Sequence, residues 1–188
     1  MNISWPFWGT TPSTNGSSLA TPAGVASFVE PYPNKPHFYA FVVDSGLVRG
    51  AQPTPAQLAV LRDSKKVRSV VSLRIESDGD KGMAAPLGLK RLHIPIIDNT
   101  PPTQAQIDTF LKFASNPDNQ PVYVHCFAGV GRTGVMVAAY RMAVDGWSVD
   151  AALDEAYQFG MSEPSQAAAI KAFSKRLQAG KVPGFPPS

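Results

Sequence analysis

The run His125-Cys126-Phe127-Ala128-Gly129-Val130-Gly131-Arg132-Thr133-Gly134 restricts the architecture of this chain more than any other stretch. The segment before it, Pro121-Val122-Tyr123-Val124, reads as a short buried strand, and Val135 to Asp145 reads as a helix that is apolar on nearly every side. A buried strand that passes into a buried helix through a glycine-bearing loop calls for an α/β domain with that loop at the strand end and the helix N-terminus. Backbone N–H groups of such a loop converge on one point, and the helix dipole adds partial positive charge there.

The residue types in the loop suit a phosphate held against sulfur. Displacing an alcohol or phenol from a phosphate monoester needs an ionised nucleophile, donors for the phosphoryl oxygens and an acid for the leaving group. Cys126, the only cysteine in the chain, supplies the nucleophile, because the field that gathers an anion also favours a thiolate. The backbone from Phe127 through Ala128, Gly129, Val130 and Gly131 supplies N–H donors, and the glycines are expected to allow positive φ and close backbone approach. Arg132 adds a planar fork for two oxygens. The Thr133 hydroxyl is placed to donate toward the sulfur as it departs, and His125 to order the loop through backbone hydrogen bonds. The bland alternative, a structural cysteine before a glycine-rich turn, needs several coincidences at once.

His-Cys, five residues, then Arg-Thr-Gly resembles the signature of the cysteine-dependent protein tyrosine phosphatase superfamily, with Phe127 where a small residue is more usual. The resemblance implies the compact dual-specificity fold across residues 36–178. It also implies an acid on a separate loop about thirty residues before the cysteine, and Asp98, in Ile96-Ile97-Asp98-Asn99-Thr100-Pro101-Pro102, fits that place. Asp78 and Asp80 are the rivals; with Glu76 and Gly79 they read more simply as a solvated turn. Arg74, directly after an apolar strand, is similar to the Leu-Arg of bacterial phosphatases and is expected at the pocket rim.

The substrate class implied is a phosphorylated protein, on tyrosine and also serine or threonine, because no Lys-Asn-Arg-Tyr-type loop marks the tyrosine-specific branch. Leu73-Arg74-Ile75-Glu76-Ser77 and Asp98 with Pro102-Thr103 also resemble the phosphatase-like phytases, so a small phosphorylated metabolite such as an inositol polyphosphate is the runner-up. The loop itself carries no lysine or second arginine, and Lys81, Lys90 and Arg91 compensate only if they line the rim. Two other classes use similar loops. A noncatalytic phosphate-binding module would lack the cysteine or the acid, and sulfur-transfer or arsenate-reducing enzymes lack the full spelling together with a separate Asp98.

Composition narrows the rest. Seventeen basic against fourteen acidic residues give +3, spread in short groups that carry no nucleic-acid motif. One cysteine excludes an internal disulfide, and His37, His93 and His125 lack zinc-ligand spacing, so neither a metal nor a cofactor is expected. Before Glu30 no side chain is ionisable, and residues 1–30 read as a Ser/Thr/Gly/Pro-rich tail in which Trp5, Phe7 and Trp8 form a local patch. No stretch reaches membrane-spanning length or forms a signal peptide. The compartment expected is cytoplasmic; the alternative is an exported protein whose signal Met1 has replaced. The oligomeric state is left open.

The order of elements predicts one domain over residues 31–180, ending in a Pro-rich tail at 181–188. Strands are expected at 38–43, 46–49, 67–73 and 92–96 besides the one before the loop. Helices are expected from Pro55, capped by Thr54; after Thr103, with Ile107, Phe110, Leu111 and Ala114 on one face; after Ser148; and from about Gln166 to Gln178. The sum is an α/β fold, a twisted sheet of about four to five strands flanked by helices.

Overall fold

The structure, a computed structural model, describes residues 38–78 and 80–187 together with the backbone of 27–29. Trp5, Phe7, Trp8, Glu30 and His37 lie outside the described residues, as does most of the segment read as a tail. The strands are β1 (Ser27–Val29), β2 (Ala40–Val42), β3 (Leu47–Gly50), β4 (Ser69–Arg74), β5 (Lys90–Ile96) and β6 (Val122–His125). The helices are α1 (Pro55–Lys65), α2 (Asp80–Ala84), α3 (Gln104–Ala114), α4 (Gly131–Ala143), α5 (Val149–Gln158) and α6 (Pro164–Gln178), and a 3-10 turn covers Ala85–Leu87.

The six strands form one sheet in the order β1-β2-β3-β6-β4-β5. Its first two pairings are antiparallel, and β3, β6, β4 and β5 run parallel. Register aligns their carboxyl ends: Gly50 lies beside His125, Ser72 beside His125, and Arg74 beside Ile96. The loops after all four parallel strands therefore open at one end of the sheet, where open α/β folds bind ligands. The loop after β6 sits centrally, with β3 and β4 on either side.

Alternation along the strands sends side chains to two cores. Val71, Leu73, Val122 and Val124 face the larger one, with Ile107, Phe110 and Leu111 of α3, Ile170 and Phe173 of α6, and most of α4. Val70 and Tyr123 face the other, under Leu58 and Leu61 of α1. Every residue of α4 from Arg132 to Met142 is buried, which fits its lack of a polar face. Each fully buried aliphatic side chain there contributes about 1.5–3 kcal/mol. Thr54 and Thr103 close capping boxes with Gln57 and Gln106, so α1 and α3 begin where the sequence indicates. No helix among the described residues is long and apolar enough to cross a membrane.

Two local expectations change. Residues 80–84, read as part of a solvated turn, form a helical turn with Asp80 at its start, fully buried. Helix α4 begins at Gly131, four residues earlier than its apolar run suggests, so Arg132 and Thr133 lie in its first turn.

Candidate active site

The loop between β6 and α4 presents its amides inward because its carbonyls are held from outside. The Cys126 carbonyl accepts from His125 Nδ1 at 2.9 Å, and the Phe127 carbonyl from the Gln52 N–H at 2.9 Å. The Ala128 carbonyl accepts from the Tyr39 hydroxyl, and the Gly129 carbonyl from Arg49 Nη2 at 3.0 Å. In a planar trans peptide the N–H points opposite the C=O, so the amides of residues 127 to 130 turn toward the concave side. Gly129 N–H shows the result directly, donating to Cys126 Sγ at 3.2 Å. Burial pushes the Tyr39 hydroxyl up to about 12, with Arg49 opposing and Cys126 assisting, so it remains a neutral donor at working pH.

The two glycines that were expected to share one role have different ones. Gly129 has φ +75°, and a Cβ there would stand 2.4 Å from the Gly50 carbonyl oxygen. Gly131 is helical; its missing side chain makes room for Gln166, whose amide would lie 2.7 Å from a Cβ.

Arg132 is the hub of the site. Its Nη1 donates to both Glu76 carboxylate oxygens, at 2.9 and 3.0 Å, and to the Ile96 carbonyl at 3.0 Å, while Nη2 pairs with Asp98 Oδ1 at 3.0 Å. Its Nε and the Thr133 hydroxyl are buried with no partner among the described residues. Buried donors left open in the first turn that follows the cysteine loop are fitted to an incoming anion. One guanidinium thus joins the loops after β4, β5 and β6.

Asp98 sits on a turn closed by Thr100, whose N–H and hydroxyl both donate to the Ile97 carbonyl, with Asn99 in the left-handed region at φ +58°. Gln166 Nε2, from α6, donates to the Thr100 carbonyl at 3.3 Å and steadies this turn. The Asp98 side chain is 60% exposed and open to water while held against Arg132. Its rivals are placed otherwise: Asp78 pairs with Arg91, and Asp80 lies beneath the loop.

Asp80 is the residue whose place the sequence misjudges most. Fully buried, it meets His125 Nε2 at 2.6 Å and accepts from Gln52 Nε2 at 2.9 Å. His125 therefore has a partner at each ring nitrogen, the Cys126 carbonyl on one side and the Asp80 carboxylate on the other. Burial acts to raise Asp80, but the hydrogen bond and charge of His125 and the Gln52 bond outweigh it and hold the carboxyl below its ordinary value. Asp80→Ala, which leaves the buried His125 Nε2 without its partner, is expected to cost about 1–3 kcal/mol in urea unfolding at neutral pH. Since folding lowers the Asp80 value, its contribution is complete above the unfolded value of about 4 and lost as pH falls through the folded one, so the gap between the two proteins narrows in acid.

Arg74 stands at the end of β4, its guanidinium 5.1 Å over the Phe127 ring and its Nη1 on Gln52 Oε1 at 3.2 Å. Phe127, Ile97 and Ile75 are 65%, 61% and 51% exposed. All three border the site: one lies in the loop, the others next to Asp98 and Glu76. Lys90 is remote, tied to Asp118 and Asn119 at the opposite end of β5. Sequence reasoning missed Tyr39, Arg49, Gln52 and Gln166 altogether, and took Glu76 for a turn residue. Of these only Arg49 left a signal, as a charge inside an otherwise apolar strand.

A cysteine loop of this build at the carboxyl end of a central parallel strand defines the cysteine-dependent protein tyrosine phosphatase superfamily in its compact dual-specificity form. The chain belongs to the family described as "DSP-PTPase phosphatase fused to NAD+ Kinase", whose model matches residues 40–174. It is 29% identical over 148 residues to phosphatidylglycerophosphatase and protein-tyrosine phosphatase 1 of Rattus norvegicus, covering 73% of this chain and 77% of that protein. Among solved structures it is similar to P. aeruginosa TpbA, with TM-score 0.61 and 26% identity over 79% of this chain and 88% of that one. PTPMT1 matches with TM-score 0.63 and 28% identity over 72% and 94%.

Proposed function

We propose that this protein hydrolyses phosphate monoesters through a phosphocysteine, without a metal, and that aryl esters of the phosphotyrosine kind are its preferred substrates. The observation that carries the reading is the Gly129 N–H on Cys126 Sγ at 3.2 Å in a loop that leads into Arg132, whose guanidinium keeps a buried open Nε and holds Asp98 through Nη2. Thiolate sulfur attacks phosphorus in line; the S–P bond forms as the P–O bond to the leaving group breaks, and Asp98 gives that oxygen its proton. Water then attacks phosphorus, Asp98 takes its proton, and the P–S electron pair returns to sulfur with Thr133 donating to it. Arg132 and the amides hold the phosphoryl charge in both steps.

The apolar border of Phe127, Ile97 and Ile75 suits a planar ring entering above the phosphate. Related structures include TpbA in complex with pTyr and PTPMT1 in complex with PI(5)P, so the border has to be tested against both chemistries. The test is kcat/KM, in buffer with EDTA, for phosphotyrosine and phosphoserine peptides, PI(5)P and inositol hexakisphosphate. Phosphotyrosine peptides are expected to lead inositol hexakisphosphate by at least about tenfold, the lower end of what apolar contact discriminates. A lead by either inositol compound would reassign the substrate, and inactivity on all four would overturn the reading.

A further inference from the structure

Arg49 lies in β3, behind the loop and away from the face that receives phosphate. It is fully buried, stacks 3.9 Å from the centre of the Phe159 ring, and among the described residues hydrogen-bonds from Nη2 to the Gly129 carbonyl. Its Nε and Nη1 have no partner among the described residues. Glu155, the nearby carboxylate, is taken by Arg141 through bonds of 2.8 and 3.3 Å. A buried cation in this condition opposes folding, and an apolar side chain of similar volume would serve the core better.

We propose that Arg49 is a positioning residue of the phosphate cradle: its guanidinium pins the Gly129 carbonyl outward, turns the Val130 N–H toward the anion, and sets a fixed positive charge behind the sulfur. Gly129 is the one loop residue at positive φ, and with no Cβ its flanking peptide planes are the least restrained in the loop. Holding the carbonyl that follows it fixes the plane most free to flip. Burial pushes Arg49 down to about 10, with Glu155, Tyr39 and Cys126 acting the other way, so the side chain is a cation at neutral pH.

The inference rests on the loop binding phosphate as proposed above, and the test separates the two. Inorganic phosphate affinity is measured by calorimetry for the wild type, R49M and R49K well below their unfolding temperatures, with the ratio of Cys126 alkylation by iodoacetate to that by iodoacetamide. R49M is expected to melt no lower than the wild type, to bind phosphate about 10- to 100-fold more weakly, the worth of one charged hydrogen bond, and to lose preference for the anionic reagent. R49K, with a charge but no fork, is expected to fall between them. R49M that folds and keeps phosphate affinity and the alkylation ratio within twofold of wild type overturns the proposal. Should R49M fail to fold, R49K decides, and wild-type affinity in R49K overturns it. A wild type that binds no phosphate would instead sink the reading of the loop itself.

Discussion

Replacing Cys126 by serine is expected to remove turnover on every phosphate ester, by on the order of 10⁵–10⁶, the scale on which loss of an enzyme nucleophile is felt. The substitution keeps the shape of the loop. The Gly129 N–H finds an oxygen where it now meets sulfur at 3.2 Å, and the four carbonyl clamps are untouched. Phosphate affinity should accordingly survive within a few-fold. Two measurements check the pair of expectations: steady-state hydrolysis of p-nitrophenyl phosphate, and calorimetric titration with phosphate. Residual turnover above about one part in a thousand would show that the phosphoryl group does not pass through sulfur.

Asp98→Asn carries the second largest effect. An amide oxygen can still accept from Arg132 Nη2 at the 3.0 Å now bridged by the carboxylate, so the turn and the guanidinium keep their places. What is lost is the proton. Alkyl esters and phosphoserine peptides, whose leaving groups need it, should slow by ~10²–10⁴, and p-nitrophenyl phosphate, whose leaving group does not, by much less. The limb of the pH profile that reports the acid should flatten. Equal loss on good and poor leaving groups would instead make Asp98 a partner of Arg132 only. Neither rival carboxylate is placed to take over, since Asp78 is occupied by Arg91 and Asp80 is buried against His125.

The parts of this fold set by short-range chemistry could be read from the chain. Thr54 and Thr103 announce capped helices, the Ile107–Ala114 stripe announces a helix on a sheet, and the loop from His125 to Gly134 announces an anion site. The supports behind that loop could not be read, because they are assembled by strand pairing. Tyr39, Arg49 and Gln52 reach it because β3 lies parallel beside β6, with Gly50 level with His125, and Asp80 because β4 flanks β6 on the other side, with Ser72 level with His125. Asp80 was hidden further by its neighbours. A carboxylate among glycines and other acids looks solvated until a buried partner is found for it, and that partner, His125, lies 45 residues away in sequence. Glu76 was concealed in the same way by its distance from Arg132.

The two halves of the proposed chemistry rest on unequal foundations. Arg132 and Thr133 belong to the first turn of a helix buried from there to Met142, so the anion-holding half can shift only when the core itself opens. Asp98 stands on a surface turn secured by a few hydrogen bonds, and that turn can open locally while the sheet stays intact. Tolerance of heat and tolerance of poor leaving groups are thus governed by different elements. Changes around residues 97–100 can alter which esters are cleaved while leaving the melting of the domain almost unchanged.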